Sequence, residues 1–524
     1  QADDNAIFSA MKDELKRTTD SLTVAGLETP FYASYIVNRY RSFSVTGELG
    51  AISASSETPV TYDASVHLAI GNFKRSSDFP GQPLIVGTPT AIECDYSSLR
   101  HTLWDSSDMA YKNAVNMMAQ KQNILAQYPL PAALEKIPDL QRSAPTSYLE
   151  NEKKYNVDMK KMEDIAKQLS AVFKNYKYLF NTDVKINGNE ITSFRSTSED
   201  VNLKLPHNSV VIKVSATFED DNRVKTADDL TLHYENPDEI PSIDALVERV
   251  RKFADDCMEM RNAPVMEEYY KGPVMYEDEA AKQVITATYL APDQFYGQQN
   301  YTENPKSLGQ KLGKKIIDER ISIVNSTDKT EYNGEKLYGH YQVDADGFKP
   351  EAELSIVEKG VFKTMLNRTT PAMYAEKSTA NSRLANSPAQ SIPLLGVGTL
   401  HVKADGTTKD DNMLKTLLKA AKKQKLDYAY VVTTPSGYTS LRLYQVDVKT
   451  GERKLVKHNR ITLPTESQMK KFTAISDRPF VSNNVQPYTY STITPASIIV
   501  GDAELTKPVL NSGKASELVY PLQR

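Results

Sequence analysis

The sequence predicts an α+β protein of two domains: an N-terminal α+β domain over residues 1–262 and a C-terminal, largely antiparallel β domain over residues 263–524. A chain of 524 residues is too long for one hydrophobic core, since domains hold about 100–200 residues. The pattern changes between Asn262 and Pro273, where Ala263–Pro264 and Gly272–Pro273 are typical of a linker. Helical and strand patterns alternate before this point, whereas strand patterns dominate after it.

The N-terminal domain shows apolar residues at helical spacing as well as runs of β-branched and aromatic residues. The segment Tyr128–Pro145 carries proline and alanine and is expected to form a loop or short helices over the surface. The predicted helices are Ala6–Thr19, Leu99–Leu125, Met159–Phe173 and Ile243–Met258, and the predicted strands are Tyr32–Ser44, Ser65–Ile70, Val184–Ile186, Val210–Phe218 and Leu230–His233.

The C-terminal domain contains one strong helical pattern, Asp411–Gln424, among predicted strands. The segment Val448–Glu452 lies between two alternating runs and predicts a hairpin, because Gly451 supplies the positive φ that such turns need. The predicted strands are Ile321–Val324, Leu354–Val357, Tyr428–Thr433, Ser440–Val448 and Lys454–His458.

Composition and charge exclude several classes of protein. Lys and Arg number 63 against 67 Asp and Glu, so the net charge of −4 gives no basic field for nucleic acid. No apolar run approaches the roughly 20 residues that cross a bilayer as a helix. The chain begins at Gln1 rather than Met, which indicates either a removed export signal or the boundary of an expressed fragment.

Histidine and cysteine offer little soft-metal or nucleophilic chemistry. There are seven His, and no two of them have the HExxH spacing that brings two imidazoles onto one helical face. Cys94 and Cys257 form no CxxC motif, and neither a GxSxG elbow nor a glycine-rich phosphate loop occurs. We therefore interpret the single His residues and both Cys residues as structural.

Two clusters of acidic residues remain as candidate sites for a hard cation, since such ions prefer oxygen ligands. Glu277, Asp278 and Glu279 are interpreted as a solvated helix start, because acidic residues favour helix N-termini. Asp344 and Asp346 precede Gly347 and are interpreted as a turn. The 29 tyrosines could present a sheet surface to peptides, although half-buried strand positions explain most of them.

Several segments, taken in order, resemble the TldD/PmbA (TldE) family, whose members are described as modulators of DNA gyrase or metalloprotease-like proteins. Tyr341–Phe348 is similar to the family's F-D-x-E-G signature, and Ser378–Arg383 is similar to S-T-G-N-x-R. The other C-terminal segments are Lys271–Ala281, Leu312–Ile317, Ile321–Val324 and Glu358–Arg368. Likeness to the secreted branch lies in Pro30–Tyr32, Gly47–Gly50, Arg100–Trp104 and Asp108–Lys112.

The departure from the family concerns its metal site. The peptidase members carry HExxxH near the start of the C-terminal domain and a later Cys ligand, whereas Tyr276–Ile285 has no His and no Cys follows Cys257. The resemblance therefore implies no catalytic residue, no metal ligand and no cofactor. It leaves Glu277, Asp278 and Glu279 at a degenerate metal-motif position.

The resemblance implies a metal-free, non-catalytic subunit, a pseudo-peptidase that is inactive alone and shapes a peptide-binding cleft. Its partners would be an extended peptide and either a second copy or a metal-bearing TldD-like subunit, with no nucleic acid. Two alternatives stay open: an active metallopeptidase with an atypical site of carboxylates and distant His, and a stand-alone envelope binding or scaffold protein. We expect a periplasmic or secreted location.

Overall fold

The computed structural model of the chain describes residues 3–24, 26–78, 85–87, 93–221, 223–287, 308–388, 393–458 and 463–506. Within these ranges one eight-stranded sheet is built from strands β1–β8, and two six-stranded sheets are built from strands that begin at β9. The last N-terminal helix ends at Asn262 and β9 begins at Tyr270, and the domain boundary after residue 262 stays a prediction. The α+β class is confirmed.

The N-terminal sheet has the order β4-β3-β1-β6-β7-β5, with β2 beside β1 and β8 beside β7. Helices α1 and α2 cover one face at one end, and α4 and α5 pack at the other end. The strands are β1 Tyr32–Glu48, β2 Ala51–Glu57, β3 Thr61–Ala69, β4 Ile85–Gly87, β5 Thr146–Leu149, β6 Leu179–Thr197, β7 Val201–Glu219 and β8 Lys225–Tyr234; the helices are α1 Asp4–Ser21, α2 Tyr96–Gln127, α3 Ala132–Glu135, α4 Met159–Ala171 and α5 Ile243–Asn262, with 3-10 turns at Val172–Asn175 and Pro237–Glu239.

The four predicted N-terminal helices are present because each has a capped start and one apolar face. The carboxylate of Asp95 accepts the backbone N–H groups of Ser97 and Ser98 and so caps α2. Leu99 and Leu103 then turn the buried face of α2 onto the sheet. Between α2 and β5 the structure has only the short helix α3, as expected for the segment Tyr128–Pro145.

The predicted strands Val184–Ile186 and Val210–Phe218 are too short. They are parts of β6 and β7, which continue for 19 residues each. The prediction stopped where polar residues begin, but several of those residues, such as Thr192, Ser193 and Ser209, are buried. The polar face of the sheet packs against the C-terminal domain, where Arg195 pairs with Asp346. The short strands β2 and β5 were not predicted.

The C-terminal sheets have the orders β14-β13-β10-β17-β23-β22 and β20-β19-β18-β9-β24-β21, and their main core lies between them. They are largely antiparallel, with parallel pairs at β17–β23 and β9–β18. The strands are β9 Tyr270–Asp278, β10 Ile321–Ser326, β11 Glu331–Tyr332, β12 Glu335–Lys336, β13 Glu353–Glu358, β14 Val361–Phe362, β15 Ser382–Arg383, β16 Leu394–Leu395, β17 Thr399–Ala404, β18 Tyr428–Thr434, β19 Arg442–Asp447, β20 Arg453–Val456, β21 Ala474–Ile475, β22 Pro479–Asn484, β23 Tyr490–Pro495 and β24 Ser497–Leu505.

Helix α7 at Met413–Lys423 is the predicted amphipathic helix and packs on the outer face of the second sheet. The predicted hairpin joins β19 and β20, and Gly451 has a φ of 75° in its turn. The other C-terminal helices are α6 Glu279–Thr286 and α8 Glu466–Met469, with 3-10 turns at Leu308–Lys311 and Asp410–Asn412. No helix among the described residues is long and apolar enough to cross a membrane.

Candidate functional site

The degenerate metal-motif position lies at the junction of β9 and α6. Glu277 and Asp278 are the last residues of β9, and Glu279 begins α6. Asp278 has a φ of 51°, a conformation that is strained for a residue other than glycine. The chain therefore turns sharply at this position and points the three carboxylates in different directions.

Each carboxylate at this position has its own cationic partner. Glu277 accepts two hydrogen bonds of 3.0 Å from the guanidinium of Arg453. Asp278 accepts one of 3.1 Å from Arg478. The side chain of Glu279 pairs with Lys282 and accepts a hydrogen bond from the hydroxyl of Ser482 at 3.0 Å. Each of the three negative charges is therefore balanced by a separate cationic side chain.

The interpretation of Glu279 as part of a solvated helix start is wrong, because its side chain is buried. A buried carboxylate needs a partner, and Lys282 one turn along α6 supplies it. Residues 277–279 do not fit a zinc ion, because this position offers no imidazole or thiolate. Its carboxylates are already paired with the side chains of Arg453, Arg478 and Lys282. Among the residues the structure describes, no three His, Cys, Asp or Glu side chains form a group that could hold a metal ion.

The isolated His and Cys residues lie in separate places, except for His207 and His340, which line one cleft. His67 pairs with Asp78 at 2.9 Å inside the N-terminal domain, whereas His401 lies on β17 in the C-terminal domain. Cys94 and Cys257 are both buried, and burial raises the pKa of the Cys94 thiol to about 12. Burial raises the pKa of Cys257 as well. A thiol with a raised pKa is a weak nucleophile at neutral pH.

A cleft of about 130 Å³ opens between the N-terminal sheet and loops of the C-terminal domain. Residues Leu205–Asn208 of β7 line one side, and Tyr338, Tyr341 and Arg383 line the other. The guanidinium of Arg383 stacks on the ring of Tyr341 at 3.8 Å and donates a hydrogen bond to the carbonyl of Thr489. These contacts hold the C-terminal wall in place opposite the strand.

The β7 side of the cleft is an open strand edge. Strand β5 pairs with β7 over Val201–Lys204, and β8 pairs with it from Val210 onward. Between these two partners, no other strand of the described chain pairs with that edge of β7. An extended segment could add there as a further strand, since its backbone would meet a ready-made edge.

Charged groups of both signs surround the cleft. Burial raises the pKa of Glu150, with the charge of Lys153 opposing the shift. Burial lowers the pKa of His340, and Lys153 lowers it further. His207 on β7 reaches the cleft with a half-buried ring. A neutral or mixed-charge ligand suits this lining better than a strongly charged one.

The predicted turn at Asp344 and Asp346 is present, and it is buried between the domains. The carboxylate of Asp344 accepts the backbone N–H groups of Asp346 and Phe348 at 3.0 and 2.8 Å. The carboxylate of Asp346 pairs with Arg195 on β6 and lies 3.4 Å from the guanidinium of Arg368. The turn therefore links the two domains next to the cleft.

The two aspartates titrate in opposite directions. Burial and the charge of Asp346 raise the pKa of Asp344 to about 7. Burial alone would raise the pKa of Asp346, but the guanidinium groups of Arg368 and Arg195 hold it well below its usual range. At neutral pH this turn carries a firm negative charge at Asp346 and a titrating carboxyl at Asp344.

Asp344 is expected to make the protein less stable as the pH rises. Its pKa is raised on folding from the ordinary 3.8 to about 7, so the folded state holds the proton more tightly. The Asp344 contribution is then full below about pH 4 and is lost between about pH 4 and pH 7, by roughly 1–3 kcal/mol. Urea denaturation at a series of pH values across this range should show that the free energy of unfolding falls more steeply with pH in the wild type than in Asp344→Asn. Equal slopes in the two proteins would contradict the assignment.

Comparison with known proteins adds to this geometry. Residues 270–507 match the family described as "PmbA/TldA metallopeptidase C-terminal domain". The fold is similar to that of a candidate modulator of a DNA gyrase from Thermotoga maritima, at 14% identity and a TM-score of 0.58 over 91% of this chain and 96% of that one. It is also similar to TldE from Thermococcus kodakarensis, at 14% identity and a TM-score of 0.56 over 95% and 99%.

A third similar structure is a candidate modulator of DNA gyrase from Bacteroides thetaiotaomicron, at 12% identity and a TM-score of 0.57 over 96% and 98% of the two chains. A search of curated protein sequences finds no match. The family match covers residues 270–507, and the similarity of fold to these solved structures extends over the N-terminal domain.

The cleft and its partner residues were not predicted from the sequence. One signal was available: Pro206 lies four residues before the β-branched run Val210–Ile212, and proline within a strand indicates an edge. Arg195 carried no such signal, because its partner Asp346 comes 151 positions later in the chain.

Proposed function

We propose that this chain is the metal-free, non-catalytic subunit of a TldD/PmbA-like proteolytic complex and that its cleft binds an extended peptide. The observation that carries the proposal is the open edge of β7 at Leu205–Asn208, which forms a wall of the cleft. A peptide added at this edge gains main-chain hydrogen bonds without a requirement for one sequence.

The lining of the cleft supports a peptide ligand. Tyr338 and Tyr341, with Arg383 stacked on the Tyr341 ring, line one wall, and Glu150 and Lys153 offer one charge of each sign at the rim of the cleft. Tyrosine makes large contacts at a low cost in conformational entropy, which suits ligands of varied sequence. These features fit a subunit that holds a substrate while another subunit supplies the chemistry.

The degenerate metal-motif position supports the non-catalytic assignment. Arg453, Arg478 and Lys282 neutralise the carboxylates of Glu277, Asp278 and Glu279, which a metal ion would otherwise need as ligands. The partner would be a metal-bearing TldD-like subunit, and one protein of similar fold is named TldE. A periplasmic or secreted location remains part of the proposal.

The test is a cleavage assay with a fluorogenic unstructured peptide, run with the chain alone, with a metal-bearing TldD-like subunit alone, and with both. We expect no cleavage by the chain alone and a chelator-sensitive rate that rises at least about tenfold on mixing. Stoichiometric zinc in the isolated chain, with cleavage lost in Glu277→Ala, would instead favour an atypical peptidase. A stable homodimer that never associates with the metal-bearing subunit would favour a stand-alone scaffold.

The edge itself is tested with two backbone-methylated versions of one peptide. Methyl groups on alternate amides remove every N–H on one side of an extended strand, and shifting them by one residue removes those on the other side. Strand addition predicts that the two isomers, which have the same composition, differ at least about tenfold in affinity. Equal affinities would show that the peptide does not add to β7.

A further inference from the structure

Polar side chains cross the face of the N-terminal sheet that packs against the C-terminal domain. Asn38 on β1 stands opposite Asp63 on β3 and opposite Ser193 on β6. The amide of Asn38 donates to Asp63 Oδ1 at 2.8 Å, and the hydroxyl of Ser193 donates to Asn38 Oδ1 at 2.6 Å. Ser193 Oγ also lies 3.1 Å from Nε2 of His207 on β7, so four strands are joined by one chain of hydrogen bonds.

The far nitrogen of His207 is also fixed. Its Nδ1 lies 2.9 Å from Oδ1 of Asn386 in the C-terminal domain. The amide nitrogen of Asn386 is used elsewhere, since it donates to the carbonyl of Val485 and to the hydroxyl of Thr489, each at 2.7 Å. Oδ1 of Asn386 therefore faces His207, and Nδ1 must carry a hydrogen to bond it.

The hydrogen-bonded series Asp63, Asn38, Ser193 and His207 lacks one proton when Asp63 is ionised and His207 is neutral. Ser193 has a single hydroxyl hydrogen, and Asn38 Oδ1 takes it. Nε2 of His207 then faces an acceptor, as Nδ1 does, and both contacts are hydrogen bonds only if the imidazole is doubly protonated. Without that proton two acceptor atoms face each other in a buried site, which is costly.

The same hydrogen-bonded series can hold the proton at Asp63 instead of His207. If Asp63 is protonated, it donates to Asn38 Oδ1 once that amide has turned over. The Asn38 amide nitrogen then donates to Ser193, and Ser193 donates to Nε2 of a neutral His207. Every contact is again a hydrogen bond, and the heavy atoms keep their places apart from the exchange of the Asn38 oxygen and nitrogen. The two arrangements contain the same number of protons.

We propose that Asp63, Asn38, Ser193 and His207 form a one-proton relay, whose proton rests either on His207 at the cleft or on Asp63 three strands away. In this movement one hydrogen passes from His207 Nε2 to Ser193 Oγ and the hydroxyl hydrogen of Ser193 passes to Asn38 Oδ1. The Asn38 amide then turns over and passes that hydrogen from Oδ1 to Asp63, so each hydrogen bond is reversed and only bonds to hydrogen are broken. Because His207 lines the cleft, a negatively charged ligand group there would favour the protonated imidazole and draw the proton toward it. That last consequence rests on the proposed function, whereas the relay itself does not.

The surroundings favour Asp63 as the resting place in an empty cleft. Burial raises the pKa of Asp63 to about 6, the hydrogen bond from Asn38 opposing the shift. Burial lowers the pKa of His207 to about 4, with the positive charge of Arg383 acting in the same direction. The titratable and charged groups near the two ends are Tyr40 beside Asp63 and, around His207, Arg383, Glu150, Lys153, Glu235 and His340.

The test is an NMR titration of the whole chain without peptide, from about pH 4 to about pH 8, with carbon-13 in the His rings and Asp carboxyls. His207→Gln and Asp63→Asn assign the two signals. In the wild type we expect the two groups to respond at one common midpoint, because they share a proton. In Ser193→Ala the relay is cut, and the midpoints should separate by about one pH unit or more.

Ser42→Ala is the matched control, since Ser42 lies on the same face of β1 and donates only to Asn189 at 2.7 Å among these side chains. It should leave the common midpoint unchanged, and Ser193→Thr should retain it because threonine keeps the hydroxyl. If Ser193→Ala does not fold, Asp63→Asn provides the test, and His207 should then lose the wild-type midpoint. Independent midpoints in the wild type, or a common midpoint that survives Ser193→Ala, would overturn the relay. Neither outcome depends on peptide binding.

Discussion

Replacement of Asp228 by alanine is expected to lower the free energy of unfolding by about 3–5 kcal/mol. Asp228 on β8 is 2% exposed, and its partner Arg442 on β19 is 3% exposed. The guanidinium of Arg442 donates to Asp228 Oδ2 at 2.6 Å, and the backbone N–H of Ser440 donates to Oδ1 at 3.0 Å. The alanine variant leaves Arg442 charged, buried and without its carboxylate partner, and an unpaired buried charge strongly destabilises the folded state. Urea denaturation followed by circular dichroism measures the loss.

Asp229→Ala is the matched control for this prediction. Asp229 is the next residue of the same strand, but its partner Lys213 is 46% exposed in its side chain. Pairs exposed in this way contribute about 0–1 kcal/mol, because water screens them. Similar losses from Asp228→Ala and Asp229→Ala would mean that burial of the Asp228–Arg442 pair does not govern its contribution.

Asp346→Ala is expected to cost a similar amount, about 3–5 kcal/mol, and to weaken the contact between the domains. Arg195 is 9% exposed and projects from β6 toward the turn that carries Asp346. Its other hydrogen bonds, to the carbonyl of Ala345 and the hydroxyl of Ser34, are to neutral groups. Removal of Asp346 therefore leaves a buried positive charge with no carboxylate at this contact. Urea denaturation, with limited proteolysis to report opening between the domains, measures the effect.

A double-mutant cycle separates this pair from general damage to the turn. Arg195→Leu removes the cation and fills its space with apolar atoms. If the pair is the cause, Asp346→Ala combined with Arg195→Leu loses less stability than the sum of the two single variants, by at least about 1 kcal/mol. Additive losses would assign the cost of Asp346→Ala to the backbone of the turn instead.

The helices could be predicted from the sequence because each encodes its own apolar face. Helix α5 is an example: Val250, Phe253 and Cys257 recur at helical spacing, and all three are buried. The strands of the N-terminal sheet were harder to predict, because Asn38, Asp63 and Ser193 sit on a face that looks solvent-exposed by its polarity. That face is buried by a second domain whose position no local pattern encodes.

The candidate site divides in the same way. The turn at Asp344–Gly347 is a local structure, and its Asp-x-Asp-Gly pattern predicted it. The cleft is not local: Leu205–Asn208 meets Arg383 only after the C-terminal domain has closed over the sheet. The ion pairs of Glu277 and Asp278 could not be predicted from the sequence either, since Arg453 and Arg478 are far from them along the chain. Long-range pairing is the information that one sequence without relatives does not carry.

The position of β9 has a consequence for the order in which the chain becomes stable during synthesis. The eight-stranded sheet is complete once Tyr234 has been made, because all its strands precede that residue. By contrast β9, the first strand of its sheet, pairs on one side with β18 and on the other with β24, which ends at Leu505. More than 200 further residues are therefore made before the last neighbour of this central strand is available, whereas every strand of the N-terminal sheet has been made by then.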